Sequence, residues 1–336
     1  MDWSKGYTAE YYLSIIDPAT WRDIGRIEIL GGSIKRDLDG LRESASVEVK
    51  TKPEGIEQWV RIWLDVKQDG ATDHVALFTG LATTPRDQLN GVIRNNTLDC
   101  YSVLKPVNDV DLLRGWYAPA GTPGAAVIEN LLSVTPAPVY AAENAPILQS
   151  NIIADDDETR LTMIDKILTA INWRMRINGD GSITIESKPD TATATLDPLE
   201  YDVIEQEVNI EADLFNCPNV FLAIDDDLTA IARDDSPDSP LSTVNRGREV
   251  WARDTSCKLS DNETIEQYAL RRLREEQKVE KKASYNRRFI PDLTVGDLVR
   301  LHYPEQGLDG LFTVRSQGID LSFSARTNEE IEWKTN

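Results

Sequence analysis

Positive charge, cysteine and histidine are the scarce ingredients of this chain. Its 336 residues hold 36 Lys and Arg against 57 Asp and Glu, a net charge of −21, so nearby nucleic acid is repelled rather than gripped. Cys100, Cys217 and Cys257 are odd in number, far apart and without a Cys-x-x-Cys pair. That argues against a disulfide framework or a zinc cage and leaves three buried, reduced thiols as the expectation. Only two histidines exist, His74 and His302; either offers a general base in principle, and a structural role is expected of both. The uncharged stretch 130–142 contains Pro136 and Pro138 and falls short of the roughly 18 apolar residues that a bilayer span needs. The start, Met1-Asp2-Trp3-Ser4-Lys5-Gly6, lacks the basic head and apolar run of a secretory signal, so export by that route is not expected. Missing too are a Gly-x-Ser-x-Gly elbow, a phosphate loop, a Gly-x-Gly-x-x-Gly fingerprint and a histidine pair at helical spacing.

What is present describes a folded chain. Hydrophobic residues make up 40% and charged residues 28%, and the length fits two domains at about 150 residues each. The first hundred residues read as short strands at 11–16, 26–30, 44–49, 60–66, 74–81 and 96–104, separated by turn residues. In 44–49, Ala45, Val47 and Val49 alternate with Ser44, Ser46 and Glu48, the period of a strand wet on one face. Val60, Ile62, Leu64 and Val66 repeat the pattern. Opposite them stand Trp59, Arg61, Trp63 and Asp65, either a partner surface or a face covered by a second sheet. So many strands in residues 1–106 imply a small closed β-barrel or sandwich, because closure removes sticky edges.

Residues 107–190 change texture to mixed α/β. Thr122-Pro123 reads as a helix start, with Ala126, Val127, Asn130 and Leu131 on one face. Leu161, Ile164, Leu168 and Ile171 define a second helix over 158–172, its start flanked by Asp155-Asp156-Asp157-Glu158. Strands at 173–177 and 183–186 then flank the turn Asn178-Gly179-Asp180-Gly181. Strand-like alternation returns over 201–224, and 225–240 reads as an acidic loop. Ser260-Asp261-Asn262-Glu263 is a capping box opening a helix to about residue 283. Strands are expected again at 298–303, 311–314, 319–323 and 329–333, with Gly307-Leu308-Asp309-Gly310 as a turn.

Few of these residues point to chemistry. Asn178 to Ile183 looks like the middle of a calcium-binding loop, but Arg176 and Ser187 occupy the end positions that need acids, so a plain hairpin is expected. The acid runs at Asp155 and at Asp225-Asp226-Asp227 offer carboxylates for glycan or metal-assisted hydrolysis, yet neighbours in a run usually share water and read as cap and loop. Trp59 and Trp63 offer a sugar-binding platform. Arg271, Arg272, Arg274, Lys278, Lys281, Lys282, Arg287 and Arg288 interleave with Glu275, Glu276 and Glu280 and read as a salt-bridged helix face. No catalytic, cofactor-binding or metal residues are assigned, and no cofactor is expected.

The order β block, helix plus hairpin, acidic loop, helix, β block resembles the tail hub, or baseplate hub, proteins of tailed bacteriophages, the late-control-D-like group. Two stretches carry the resemblance: residues 155–186, with Ala170-Ile171-Asn172-Trp173 before the hairpin, and Val295-Gly296-Asp297-Leu298-Val299 followed by Gly307 to Gly310, Phe312-Thr313-Val314, Ile319-Asp320-Leu321 and Ile331-Glu332-Trp333. The fold class implied is α+β, mainly β, with two small tube-like β-barrel domains and inserted α/β and helical segments. The second barrel would be discontinuous, built from 191–224 and 290–336 around an insertion of acidic loop and helix at 225–289. The resemblance further implies a non-enzymatic homotrimer whose ring adapts a sixfold tail tube to a threefold tip and lets viral DNA pass without specific binding. Implied partners are tail tube or distal tail ring proteins, the tape measure protein and a separate spike, fibre or tip protein. The implied location is the virion tail tip, after synthesis in the bacterial host cytoplasm. A hydrolase or a carbohydrate-binding module is the alternative.

Overall fold

The computed structural model describes the chain except residues 52, 54, 56, 84, 85, 91, 92, 200–203, 213, 226, 227, 256–263, 278–280, 323, 324 and 334–336. The fold is mainly β, in several sheets with short helices between them. It divides into two compact units, Met1–Val208 with Ser284–Asn336, and Asn209–Ala283.

The chain opens with β1 (Thr8–Asp17), β2 (Arg22–Asp37), β3 (Glu43–Val49), β4 (Gln58–Gln68), β5 (Ala71–Ala82), β6 (Arg86–Asn90) and β7 (Ile93–Ser102). The pairing order β1-β4-β5-β7-β3-β2 returns to β1, because β1 pairs with both β4 and β2. These six strands therefore expose no edge to one another's ends, and β6 pairs on the side with β7. Inward residues Leu13, Ile62, Leu64, Val66, Leu77, Phe78 and Leu98 are fully buried, each worth about 1.5–3 kcal/mol. β4 is covered on both faces: Arg61 and Asp65 are buried beside Val60 and Leu64.

Next come α1 (Lys105–Asn108), β8 (Tyr117–Ala118), α2 (Gly124–Leu132), β9 (Val139–Ala141), β10 (Ile152–Ile153), α3 (Arg160–Ile171), β11 (Trp173–Ile177) and β12 (Ile183–Ser187). The stripe Leu161, Ile164, Leu168 and Ile171 meets Ile128, Leu131 and Leu132 of α2 in one core. The caps differ from the sequence expectation. Thr122 donates no cap, since Pro123 takes the N-cap position of α2 without a side-chain bond. At α3 the cap is Thr159, whose hydroxyl accepts from Thr162 N at 3.2 Å, and Asn172 closes the helix in the left-handed region at φ 54°.

The rest of the chain supplies β13 (Ala194–Leu196), β14 (Ile204–Ala212), β15 (Val220–Asp225), β16 (Leu228–Arg233), α4 (Thr243–Arg246), β17 (Trp251–Asp254), α5 (Ile265–Glu276), β18 (Lys281–Arg287), β19 (Leu298–Tyr303), β20 (Leu308–Asp320) and β21 (Thr327–Trp333). β20 pairs with β2, so the first sheet continues as β2-β20-β21-β18-β14, while β19 joins β20 to β13. Within Asn209–Ala283, β16-β15-β17 form a separate sheet, and Phe221, Ala223, Ala230 and Ala232 pack on Tyr268, Ala269 and Leu273 of α5.

Four sequence expectations change here. The acidic loop at 225–240 contains the strand β16, because Ala230 and Ala232 alternate inward beneath the charge. β15 pairs in the smaller sheet and not with the second strand block. The last helix stops at Glu276, and 281–287 is a strand: Ala283, Tyr285 and Arg287 are buried in the period-two pattern that no helix can produce. Its cap is Thr264 with Gln267; Ser260 to Glu263 lie outside the described residues. Finally, the strands expected at 311–314 and from 319 onward are one, since β20 runs unbroken from Leu308 to Asp320 with a bulge at Arg315; Phe323 lies outside the described residues.

Candidate functional site

Among the described residues, Asp155, Asp156 and Glu158 of the acid run and both histidines stand in ion-pair range of a partner. Lys166 Nζ lies 2.7 Å from Asp155 Oδ2 and 2.9 Å from Glu158, and Glu158 Oε2 accepts from the Asp155 amide. This acid run braces the approach to α3. Asp226 and Asp227, and the side chain of Asp225, lie outside the described residues. His74 and His302 sit on exposed strand faces, their Nδ1 atoms 2.7 Å from Asp65 and 3.3 Å from Asp309. Trp63 donates to Asp23 and stacks on Tyr12, and Trp59 packs beside Trp21 with ring centres 5.5 Å apart. Both indoles are half-buried and held by these contacts. Asn178 to Ser182 is a tight turn closed by Gly181 N to Asn178 O at 2.8 Å. Among the described residues no three His, Cys, Asp or Glu side chains gather as a metal site.

Cys100 is buried, and burial pushes its thiol up to about 12; Cys217 is buried too, and Cys257 lies outside the described residues. The basic stretch behaves as a salt-bridged helix face where described: Arg271 and Arg272 pair with Glu275 at 3.1 and 2.9 Å, and Arg272 with Glu276 at 3.0 Å. Arg287 leaves that stretch altogether and is buried.

The feature that stands out is a sheet face. Where β7, β3, β2, β20, β21 and β18 lie side by side, Tyr101, Ser44, Lys35, Gly318 and Asn328 are successive cross-strand partners, and Asn328 donates to Asn286. Tyr101, Ser44, Lys35, Gly318 and Asn328 border an open groove of ≈ 570 Å³ that Arg36, Arg42, Glu43 and Gln317 also line. The neighbouring row is Asp99, Ser46, Ser33 and Asp320. Small hydroxyls and amides dominate this face, and its exposed acids Asp37, Glu48, Asp320 and Glu205, with the half-buried Asp99 and Glu330, outnumber Lys35, Arg86, Arg326 and the half-buried Lys282. Sequence reading found the wet face of β3 but not its partners, because the β2–β20 pairing joins segments some 280 residues apart, and no local pattern announces that.

On the reverse side runs a buried polar row. Glu43 and Arg36 are cross-strand partners, Arg36 faces Gln317, and Gln317 faces Glu329. Glu329 receives Tyr285 Oη and Arg287 Nη2, both at 2.5 Å, and Gln317 Nε2 at 2.7 Å. The row thereby pins the two β blocks together in one register, since a slip by one residue would turn every charge outward. Burial holds the Tyr285 hydroxyl well above its ordinary value, reinforced by Glu329.

Glu43 is the exception in this row. Its nearest base, Arg36 Nε, stands 3.9 Å away, and burial pushes the carboxyl up to about 8. Between the ordinary glutamate range and that value the folded chain binds more protons than the unfolded chain, so its contribution to stability falls as pH rises and levels off above about 8. Urea unfolding of Glu43→Gln from about pH 5 to 8 should remove a slope of up to about 1.4 kcal/mol per pH unit seen in the parent. Equal slopes in the two proteins would refute it.

No family model matches this sequence, and no curated protein matches it. Solved structures do. A tail protein from Neisseria meningitidis MC58 superposes with TM-score 0.65 at 18% identity, covering 98% of this chain and 97% of its own. The 43 kDa tail protein of prophage MuSo2 from Shewanella oneidensis gives 0.64 at 13% identity over 96% and 97%. Prophage tail protein gp18 from Listeria monocytogenes EGD-e gives 0.53 at 11% identity over 96% and 94%. The chain thus has the fold of these tail proteins along nearly its whole length, and of the architecture that the resemblance implied it has the mainly β class.

Proposed function

We propose that this chain is the structural hub of a phage-type tail tip or baseplate, with no catalytic role. Three copies close a ring of tube-like barrels, two per subunit, that matches a sixfold tube to a threefold tip and encloses a DNA channel. One barrel is the closed circuit β1-β4-β5-β7-β3-β2; the other is the block around β13, β19, β20, β21, β18 and β14. The observation that carries the reading is the polar sheet face running unbroken across both blocks. Set toward the lumen, its excess of carboxylates over Lys and Arg repels phosphate and avoids the salt-dependent grip that cationic contacts would give a passing duplex. Tail tube or distal ring proteins, the tape measure protein and a separate spike, fibre or tip protein are the partners of such a ring, and the virion tail tip is its place.

Single-particle reconstruction of the assembled tail tests the assignment. The chain is expected at the end of the tube with Lys35, Ser44 and Asn328 toward the axis. Density that places this face against another protein, or a tail without the chain, would refute it.

A further inference from the structure

A second cavity lies behind the sheet, where the β2–β3 hairpin, β11 and the segment before β19 meet. It has a volume of ≈ 30 Å³, and Arg36, Arg42, Glu43, Arg174 and Arg176 line it. Of these lining residues, Arg36 Nε, Arg42 Nε, Arg176 Nε and Glu43 Oε1 are buried without a hydrogen-bond partner. Other guanidinium nitrogens have partners: Arg42 Nη1 and Nη2 have Leu38 O and Asp165 at 3.0 and 2.6 Å, Arg174 has Glu186 and Asp297 at 2.6 and 2.8 Å, Arg176 Nη1 has Asp297 at 3.5 Å, and Arg36 has Leu77 O and Gln317. Asp37, which also borders the cavity, turns its carboxylate to the Asp39 amide.

We propose that this cavity is a binding site for a monatomic halide, chloride in solution, held by the free Nε–H groups of Arg36, Arg42 and Arg176. Three arguments favour it over the alternatives. The ≈ 30 Å³ beside Arg176 suits a monatomic ion better than phosphate or sulfate, which the open groove that Arg36, Arg42 and Glu43 also border would admit. Unpaired buried donors cost about 1–3 kcal/mol each, more when charged, so three of them around one void call for an acceptor. Asp165, Asp297 and Glu186 pair with Arg42, Arg174 and Arg176, whereas Arg36 has Glu43 at 3.9 Å, whose carboxyl burial pushes up to about 8, and feels Asp297 only at longer range. Protonated Glu43 supplies a further O–H donor. Water would meet part of the hydrogen bonding and none of the charge.

Crystals of the full chain grown in sodium bromide test the site by anomalous scattering, paired with melting temperatures in chloride against gluconate at constant ionic strength. An anomalous peak in the cavity, with the melting temperature rising by about 2 °C per tenfold increase in chloride above its Kd, is expected. Arg176→Gln, at the most accessible of the three arginines, should fold and lose that chloride response. An empty cavity, or density without anomalous signal, means ordered water and overturns the proposal. A peak without any chloride response marks an adventitious ion only and overturns it equally.

Discussion

Glu329→Ala lowers the unfolding free energy by about 3–5 kcal/mol, read from urea denaturation. The carboxylate is wholly buried and anchors Arg287, Tyr285 and Gln317. Removing it strands a guanidinium whose side chain is only 1% exposed, and an uncompensated buried charge costs far more than the pair itself contributes. The control is Glu10→Ala. Glu10 also forms an ion pair, with Lys67 at 2.7 Å, but both partners are half exposed, so less than about 1 kcal/mol is expected. Similar losses in the two variants would mean that the polar row does not clamp the two β blocks.

Gly179→Ala carries the second large effect, a loss of about 3 kcal/mol that combines overpacking with weakened hydrogen bonds. A Cβ on Gly179 would lie 1.8 Å from the carbonyl oxygen of Ala76 in β5. That backbone atom cannot yield as a flexible side chain would. The β11–β12 hairpin docks there through Thr79 Oγ1 to Gly179 O at 2.8 Å, Trp21 Nε1 to Asp180 O at 3.0 Å and Arg61 Nη2 to Asp180 O at 2.9 Å. Hydrogen exchange should speed up in the hairpin and in β5 while α2 and α3 keep their protection. Gly31→Ala, where a Cβ meets nothing within 4 Å, should stay within about 0.5 kcal/mol of the parent. An unchanged Gly179→Ala would show that the hairpin does not seat on β5.

The same two sites show what was legible in the residues. The Asn-Gly-Asp-Gly turn and the stripe Leu161, Ile164, Leu168 and Ile171 obey local rules and could be read directly, as could the half-wet alternation of β3. The seat of the hairpin could not, because it depends on a glycine meeting a strand some 100 residues earlier. The buried row was invisible for a different reason. Arg36, Glu43, Gln317, Glu329 and Arg287 have the polarity of solvated residues, so Arg315-Ser316-Gln317-Gly318 read as a break between strands when it is the middle of one. For Trp59 and Trp63 the residues left a partner surface and a covered face equally open, and only the fold shows Trp21, Tyr12 and Asp23 against them. Polarity predicts burial only when partners are known, and partners come from topology.

The central claim is that three copies form a ring, and the mass of the intact protein in native mass spectrometry tests it most directly. The account predicts three times 37.7 kDa, about 113 kDa, dissociating as salt or dilution weakens the subunit contacts. A single species at 37.7 kDa across all concentrations, alone and in extracts containing tails, would contradict it.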